Sequence, residues 1–68
     1  MIHVGSMVKK ELCRQRTSVS WLSRQLNMER SGVYKMLHRK SIDISTLIEI
    51  SVALDHDFFA DISQKLVV

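Results

Sequence analysis

The residues with the clearest chemical capability are cations, and they are distributed unevenly along the chain. Residues 1–41 contain nine lysines and arginines and two glutamates, a net charge of +7. Residues 42–68 contain one lysine and five aspartates and glutamates, a net charge of −4. A basic region attracts a polyanion, and an acidic region is repelled by one. The distribution favours nucleic-acid binding by the first part of the chain; the alternative is a scatter of solvated charges.

The other reactive side chains form no recognisable catalytic or metal-binding pattern. Cys13 is the only cysteine, so an internal disulfide is impossible and a reducing compartment is favoured. His3, His38 and His56 are far apart and accompany no second ligand at metal-binding spacing. No glycine-rich phosphate loop and no serine, histidine and acid motif is present. We expect no enzymatic activity, no metal and no cofactor.

Chain length and hydropathy bound the architecture. A chain of 68 residues can form one modest core, so we assign residues 1–68 to a single domain. No apolar run approaches the roughly 18 residues that a membrane span requires. The first residues also lack the pattern of a secretory signal. We therefore expect a cytoplasmic protein that does not enter a membrane.

Apolar spacing and capping residues predict an all-α fold of five short helices. The fourth helix is expected to bury Leu47, Ile50 and Leu54, with Ile44 and Ile48 widening its buried face. Residues 1–4 and 66–68 are expected to pack loosely, or alternatively to pair as a short strand. The first helix is predicted at residues 6–15, with Ser6 as its cap, and the second begins after the caps Thr17 and Ser18. The third is predicted at residues 30–39. Asp43 is expected to cap the fourth helix and Asp57 the fifth.

Residues 19–38 have the spacing of a helix-turn-helix, in which the second helix projects from the body of the domain. Leu22 and Leu26 are expected to face Val33 and Leu37 across the two helices. Ser23 is small enough for the helices to approach closely where they cross. The remaining apolar positions of the unit are Val19, Met28 and Met36.

This unit resembles a known family on a stretch of twelve residues, Leu22-Ser23-Arg24-Gln25-Leu26-Asn27-Met28-Glu29-Arg30-Ser31-Gly32-Val33. The stretch is similar to the helix-turn-helix of phage lambda-type repressors and Cro proteins, the XRE family. The family pattern is apolar, small, two polar, apolar, glycine, apolar. The run Met-x-x-Ser-Gly-Val that follows is especially close to the turn and reading helix of the lambda-type repressors. Residues 41–54 and 57–62 are similar to the family's fourth and fifth helices. The resemblance implies a lambda repressor-like domain that places its second motif helix in the major groove of DNA.

Two positions depart from the family pattern. Asn27 stands where the family usually has a glycine, and asparagine is the next most tolerant residue of a left-handed backbone. Val19 stands where many members have a glutamine that contacts phosphate. We expect Thr17 or Ser20 to replace that contact.

The resemblance implies that some polar residues contact base edges and others contact phosphates. Side chains that contact base edges are expected to be Arg30, Ser31, Tyr34 and Lys35, of which Arg30 and Lys35 can donate to guanine. Side chains that contact phosphates are expected to be Thr17, Ser20, Arg24, His38, Arg39, Lys40 and Ser41.

Three further residues have more than one interpretation. Gly32 permits close approach either of the phosphate backbone or of a neighbouring helix. Glu29 either caps the reading helix and pairs with Arg24 or Arg30, which we favour, or accepts from a cytosine amino group. Trp21 lies away from the first core face, so it either packs against a neighbouring helix or remains available to DNA or a partner.

These features together predict a sequence-specific transcriptional regulator of double-stranded DNA, most simply a repressor. One reading helix covers only about four or five base pairs, so we expect a homodimer on a two-fold operator. Its dimer face is expected on the acidic fourth and fifth helices, with Phe58, Phe59 and residues 66–68. One alternative is a protein-interaction module with Trp21 and Phe59 as anchors. A second alternative is the antitoxin of a toxin-antitoxin pair.

Overall fold

The computed structural model describes residues 2–66, which form five α-helices. They are α1 (Val4–Arg14), α2 (Val19–Leu26), α3 (Arg30–Leu37), α4 (Ile44–Leu54) and α5 (Phe58–Leu66). The predicted all-α fold of five short helices is therefore confirmed. None of the helices in the described range has the length and apolar character needed to cross a membrane.

Side-chain caps begin α2, α4 and α5 where the sequence predicted them. Ser18 accepts from the backbone of Trp21 at 3.0 Å, and Asp57 accepts from the backbone of Ala60 at 3.0 Å. Asp43 accepts from the Ser45 hydroxyl at 2.5 Å and from both the hydroxyl and the backbone of Thr46. These hydrogen bonds, that of Ser45 above all, lower the pKa of Asp43 from 3.8 to about 2.

The start of α1 differs from the prediction. The helix begins at Val4 and is capped by His3, whose Nδ1 accepts from the backbone of Ser6 at 3.0 Å. Ser6 is therefore inside the helix and is not its cap. The predictions of a loosely packed segment at residues 1–4 and of a terminal strand pair are wrong at Val4 and at Leu66, since both residues are helical. Met1, Val67 and Val68 lie outside the described residues.

The N-terminus of α1 docks against the chain that leaves α3. The backbone of Val4 donates to the carbonyl of Lys40 at 2.9 Å, and that of Gly5 donates to the carbonyl of Arg39 at 3.0 Å. A Cβ on Gly5 would lie 2.6 Å from the Arg39 carbonyl oxygen and closer still to that of Leu37. Only glycine allows these two backbones to approach so closely.

The core lies where the five helices meet. Its fully buried side chains are Val8, Leu22, Val33, Ile50 and Phe58. Helix α4 buries Leu47, Ile50 and Leu54 as predicted. Ile44 and Ile48, however, remain 68% and 49% exposed, so their predicted place in the buried face is wrong. They lie on an adjacent side of α4 that points away from the core.

A buried carboxylate joins α1 to the last two helices. Glu11 is only 7% exposed, and Arg14 donates to it through Nε at 2.9 Å and through a second, shorter bond from Nη2. Gln15 donates both to Glu11 at 2.6 Å and to the carbonyl of Leu54 at 2.8 Å. His56 lies 3.6 Å from Glu11 and contacts Asp61 of α5 at 2.6 Å. The hydrogen bond from Arg14 is the main reason that the pKa of Glu11 falls from 4.5 to about 2.

The lowered pKa of Glu11 predicts that the stability of the fold depends on pH. Because its pKa is lower in the folded chain, the Glu11 carboxylate stabilises the fold fully above pH 4.5, and this stabilisation is lost as the pH falls towards 2. Glu11→Gln should therefore lower stability at neutral pH and flatten the decline between these two pH values. Thermal unfolding followed by circular dichroism as a function of pH measures both effects. An unchanged acid slope in Glu11→Gln would show that the carboxylate does not cause the decline.

Candidate nucleic-acid interface

Helix α2, a tight turn and helix α3 form the helix-turn-helix that the sequence predicts. Asn27 ends α2 in the left-handed conformation, with φ 54° and ψ 44°. The backbone of Asn27 donates to Arg24, and that of Met28 donates to Ser23 at 2.9 Å, which satisfies the last carbonyl groups of the helix. Asparagine thus takes the conformation for which the family pattern uses glycine.

Apolar side chains hold α3 against the body of the domain. Leu22 of α2 and Val33 of α3 are fully buried, and Leu37 is 5% exposed. Ser23 is buried, and its hydroxyl donates to the carbonyl of Ser20 at 2.7 Å. The predicted inward positions of Leu22, Val33 and Leu37 and the burial of Ser23 are confirmed, whereas Leu26 is only half-buried and Met28 is 37% exposed. Trp21 is half-buried and packs against the core, so it is not a freely exposed anchor for a partner.

The opposite side of α3 carries the four residues predicted to contact bases. Arg30, Ser31, Tyr34 and Lys35 are all exposed, and Tyr34 retains 54% of its accessible surface. Within residues 2–66, no helix covers these four side chains. Arg30 donates from Nη1 to the Ser20 hydroxyl oxygen at 3.3 Å, which links the start of α3 to the start of α2.

Tyr34 and Lys35 mark the two borders of this exposed surface. Tyr34 lies beside a small recess that includes residues from α1 and the start of α2, among them Lys9 and Thr17. Lys35 lies beside another recess, between α3 and the start of α4. His38 follows α3, and its Nδ1 lies 2.9 Å from the carbonyl of Tyr34. Because a carbonyl only accepts, this contact requires the proton on Nδ1 and directs Nε2 away from the backbone.

The residues predicted to contact phosphates fall into two groups. Arg24, His38, Arg39, Lys40 and Ser41 are exposed, and their side chains extend from the ends of α2 and α3. Thr17 and Ser20 are half-buried. The Thr17 hydroxyl donates to the carbonyl of Leu12 at 3.3 Å, so a bond from Thr17 to phosphate would have to replace it. Ser20 accepts from Arg30, which leaves its own hydroxyl proton to donate.

Sequence reasoning did not anticipate the contribution of Val4 and Gly5 to this surface. Their backbone groups bind the carbonyls of Lys40 and Arg39, so α1 determines where the two cationic side chains leave the domain. The only signal in the sequence was Gly5, a glycine just before the predicted start of the first helix. A glycine alone does not reveal which backbone approaches it.

Two sequence interpretations at the front of α3 need correction. Glu29 occupies the N-cap position, but its side chain makes no capping hydrogen bond. Within residues 2–66 it also forms no ion pair with Arg24 or Arg30. The favoured interpretation of Glu29 as a side-chain cap is therefore wrong, because the exposed carboxylate extends into solvent. At Gly32 no neighbouring helix lies close, since an added Cβ would meet only the Met28 methyl group at 3.4 Å.

Gly32 therefore supplies a prediction that separates folding from binding. Gly32→Ala should stabilise α3 by about 0.5 to 1 kcal/mol, because alanine favours a helix interior and the site has room for a methyl group. If a phosphate or groove wall approaches Gly32, the same change should weaken DNA binding. Thermal unfolding and a duplex-binding titration measure the two effects. Improved stability with unchanged DNA affinity would exclude a close approach of DNA at Gly32.

Among residues 2–66, no three His, Cys, Asp or Glu side chains are arranged as a metal site. Comparison with models of known protein families, with curated proteins and with solved structures found no match to this chain. The resemblance to the XRE family thus rests on the motif at residues 22–33 and on the similarity of residues 41–54 and 57–62, and it stays a prediction.

Proposed function

We propose that this protein is a sequence-specific regulator that binds double-stranded DNA by inserting α3 into the major groove. The observation that supports it best is the two-sided character of α3. Val33 and Leu37 anchor the helix in the core, while Arg30, Ser31, Tyr34 and Lys35 are exposed on the other side. A helix that is well anchored and polar outward can enter a groove about 12 Å wide without unfolding the domain.

Some of the proposed contacts determine the preferred base sequence, and the others position the protein on the DNA backbone. Arg30 and Lys35 donate to guanine O6 and N7, Ser31 bonds a base edge, and Tyr34 contacts the groove wall. Arg24, Arg39 and Lys40 neutralise phosphates on either side of the groove. Glu29, exposed at the front of α3, would accept from a cytosine amino group, which is the interpretation that remains for it.

We further propose that two copies occupy the two halves of a two-fold operator. Phe58 is fully buried and cannot take part in the predicted dimer face, whereas Phe59 and Leu66 are exposed. The acidic residues of α4 and α5 would oppose one another across a two-fold axis. We therefore expect single chains in solution and two chains per site on DNA, measured by light scattering. One chain per operator would contradict the pairing.

The salt dependence of binding tests the proposed function against a protein-interaction module. With several phosphate contacts, the logarithm of the binding constant should fall linearly with the logarithm of salt, by roughly 0.9 for each phosphate neutralised. Fluorescence anisotropy with a labelled duplex at increasing salt gives the slope. Arg39→Ala should reduce the slope by about one, whereas Ser63→Ala, an exposed and uncharged change on α5, should leave it unchanged. Binding that hardly responds to salt would contradict a DNA-binding function.

A further inference from the structure

An apolar surface on the outer side of α4 remains exposed within residues 2–66. Ile44, Ile48 and Val52 follow one another at four-residue spacing and are 68%, 49% and 77% exposed. Phe59, from the start of α5, is 39% exposed. Residues four apart on a helix are neighbours on its surface, so the three aliphatic side chains form a continuous stripe. We call these four residues the outer stripe.

The outer stripe borders an open groove between α4 and the start of α5. Ile48, Val52 and Phe59 line this groove together with His56 and Asp57. Leu47, Ile50 and Leu54 are the residues that α4 buries in the core. The fold therefore does not require the outer stripe to be apolar. A contiguous exposed apolar surface of this kind is typical of a site where another molecule docks.

The charges around the groove define the chemistry of that molecule. Residues 41–64 contain no lysine or arginine, and they contain five aspartates and glutamates. Asp55 and Asp57 line the groove itself, and Glu49 is exposed on the same helix. An acidic rim repels nucleic acid and anionic membranes. It also disfavours a second copy in two-fold contact, because the carboxylates of both copies would meet.

We propose that the outer stripe binds a helical segment of another protein, with apolar residues along one side and lysines or arginines on its flanks. The apolar side covers Ile48, Val52 and Phe59, as in other complexes where an amphipathic helix occupies a groove. The basic flanks face Glu49, Asp55 and Asp57. This site shares no residue with the exposed side of α3, so the proposal does not depend on DNA binding. It assigns Phe59 to the partner helix and not to the dimer face that the sequence predicted.

Two synthetic helical peptides test this proposal with the chain of 68 residues. Both carry leucines along one side; one has lysine flanks, and the other has glutamate at the same positions. We expect the lysine peptide to bind at least about tenfold more tightly, with backbone NMR shifts concentrated around Val52 and Phe59. Val52→Asp should weaken its binding by about tenfold or more. Leu66→Asp, which makes the same change at an exposed residue outside the groove, should not.

Three outcomes would overturn the proposal. Equal binding of the two peptides would show that the rim does not select charge. No saturable binding of the lysine peptide up to about 1 mM would show that the groove is not a helix-binding site. Sedimentation of the wild-type chain as a dimer that Val52→Asp dissociates would assign the stripe to a second copy. Duplex binding by Val52→Asp, measured alongside, separates these results from a failure of the proposed DNA-binding function.

Discussion

Gly5→Ala should cost the fold about 2 kcal/mol, although the same substitution favours an isolated helix. The added methyl group would overlap the carbonyl oxygens of Leu37 and Arg39, both of which belong to the backbone and have little room to move. Overpacking of this kind typically costs 1 to 3 kcal/mol, and separation of the segments would also lose the bond from Gly5 to Arg39. This loss exceeds the helix gain of about 0.5 to 1 kcal/mol.

The cost is large for a domain of this size, whose total stability is expected to be roughly 3 to 10 kcal/mol. The unfolding midpoint should fall by about 10 °C in a thermal scan. Gly32→Ala is the matched control, because it makes the same change in a helix where the site has room. A Gly5→Ala variant as stable as Gly32→Ala would show that α1 does not pack closely against the end of α3.

The second large effect is expected in DNA binding, where Arg30 and Arg39 should behave differently. Arg30 begins α3 on its exposed side, so Arg30→Ala should cost about 1 to 3 kcal/mol and relax preference at one base pair. Arg39 follows α3 at the border with α1, so Arg39→Ala should weaken binding to all duplexes alike. Titrations of a preferred duplex and of its single-base variants measure both quantities.

The link between Arg30 and Ser20 sharpens this comparison. Ser20→Ala removes the acceptor for Arg30 and changes neither the charge nor the buried core. It should lower affinity less than Arg30→Ala, because it frees the guanidinium without deleting it. Equal, sequence-independent losses from Arg30→Ala and Arg39→Ala would contradict the division between reading and positioning.

The parts of this structure that follow from local chemistry could be predicted from the sequence. Ser18, Asp43 and Asp57 cap their helices because their side-chain oxygens satisfy free backbone groups nearby. Asn27 adopts the left-handed conformation, which its short polar side chain tolerates better than most side chains do. The exposed side of α3 followed from the spacing of Val33 and Leu37.

The parts that depend on distant segments could not be predicted in the same way. Helical spacing shows that Ile44 and Ile48 lie on one side of α4, but not that no other helix covers that side. Phe58 and Phe59 are neighbouring residues of the same type, yet Phe58 is fully buried and Phe59 is 39% exposed. The carbonyls that receive Val4 and Gly5 lie more than thirty residues away in the sequence.

Selection of bound duplexes from a random pool is the most direct test of the claim that α3 reads DNA. We expect the pool to converge on an inverted repeat, with half-sites of about four or five base pairs on one face of the helix. The preference should weaken at one position of each half-site in Arg30→Ala. A pool that remains unenriched after repeated selection, although the folded chain is present throughout, would contradict sequence-specific reading by α3.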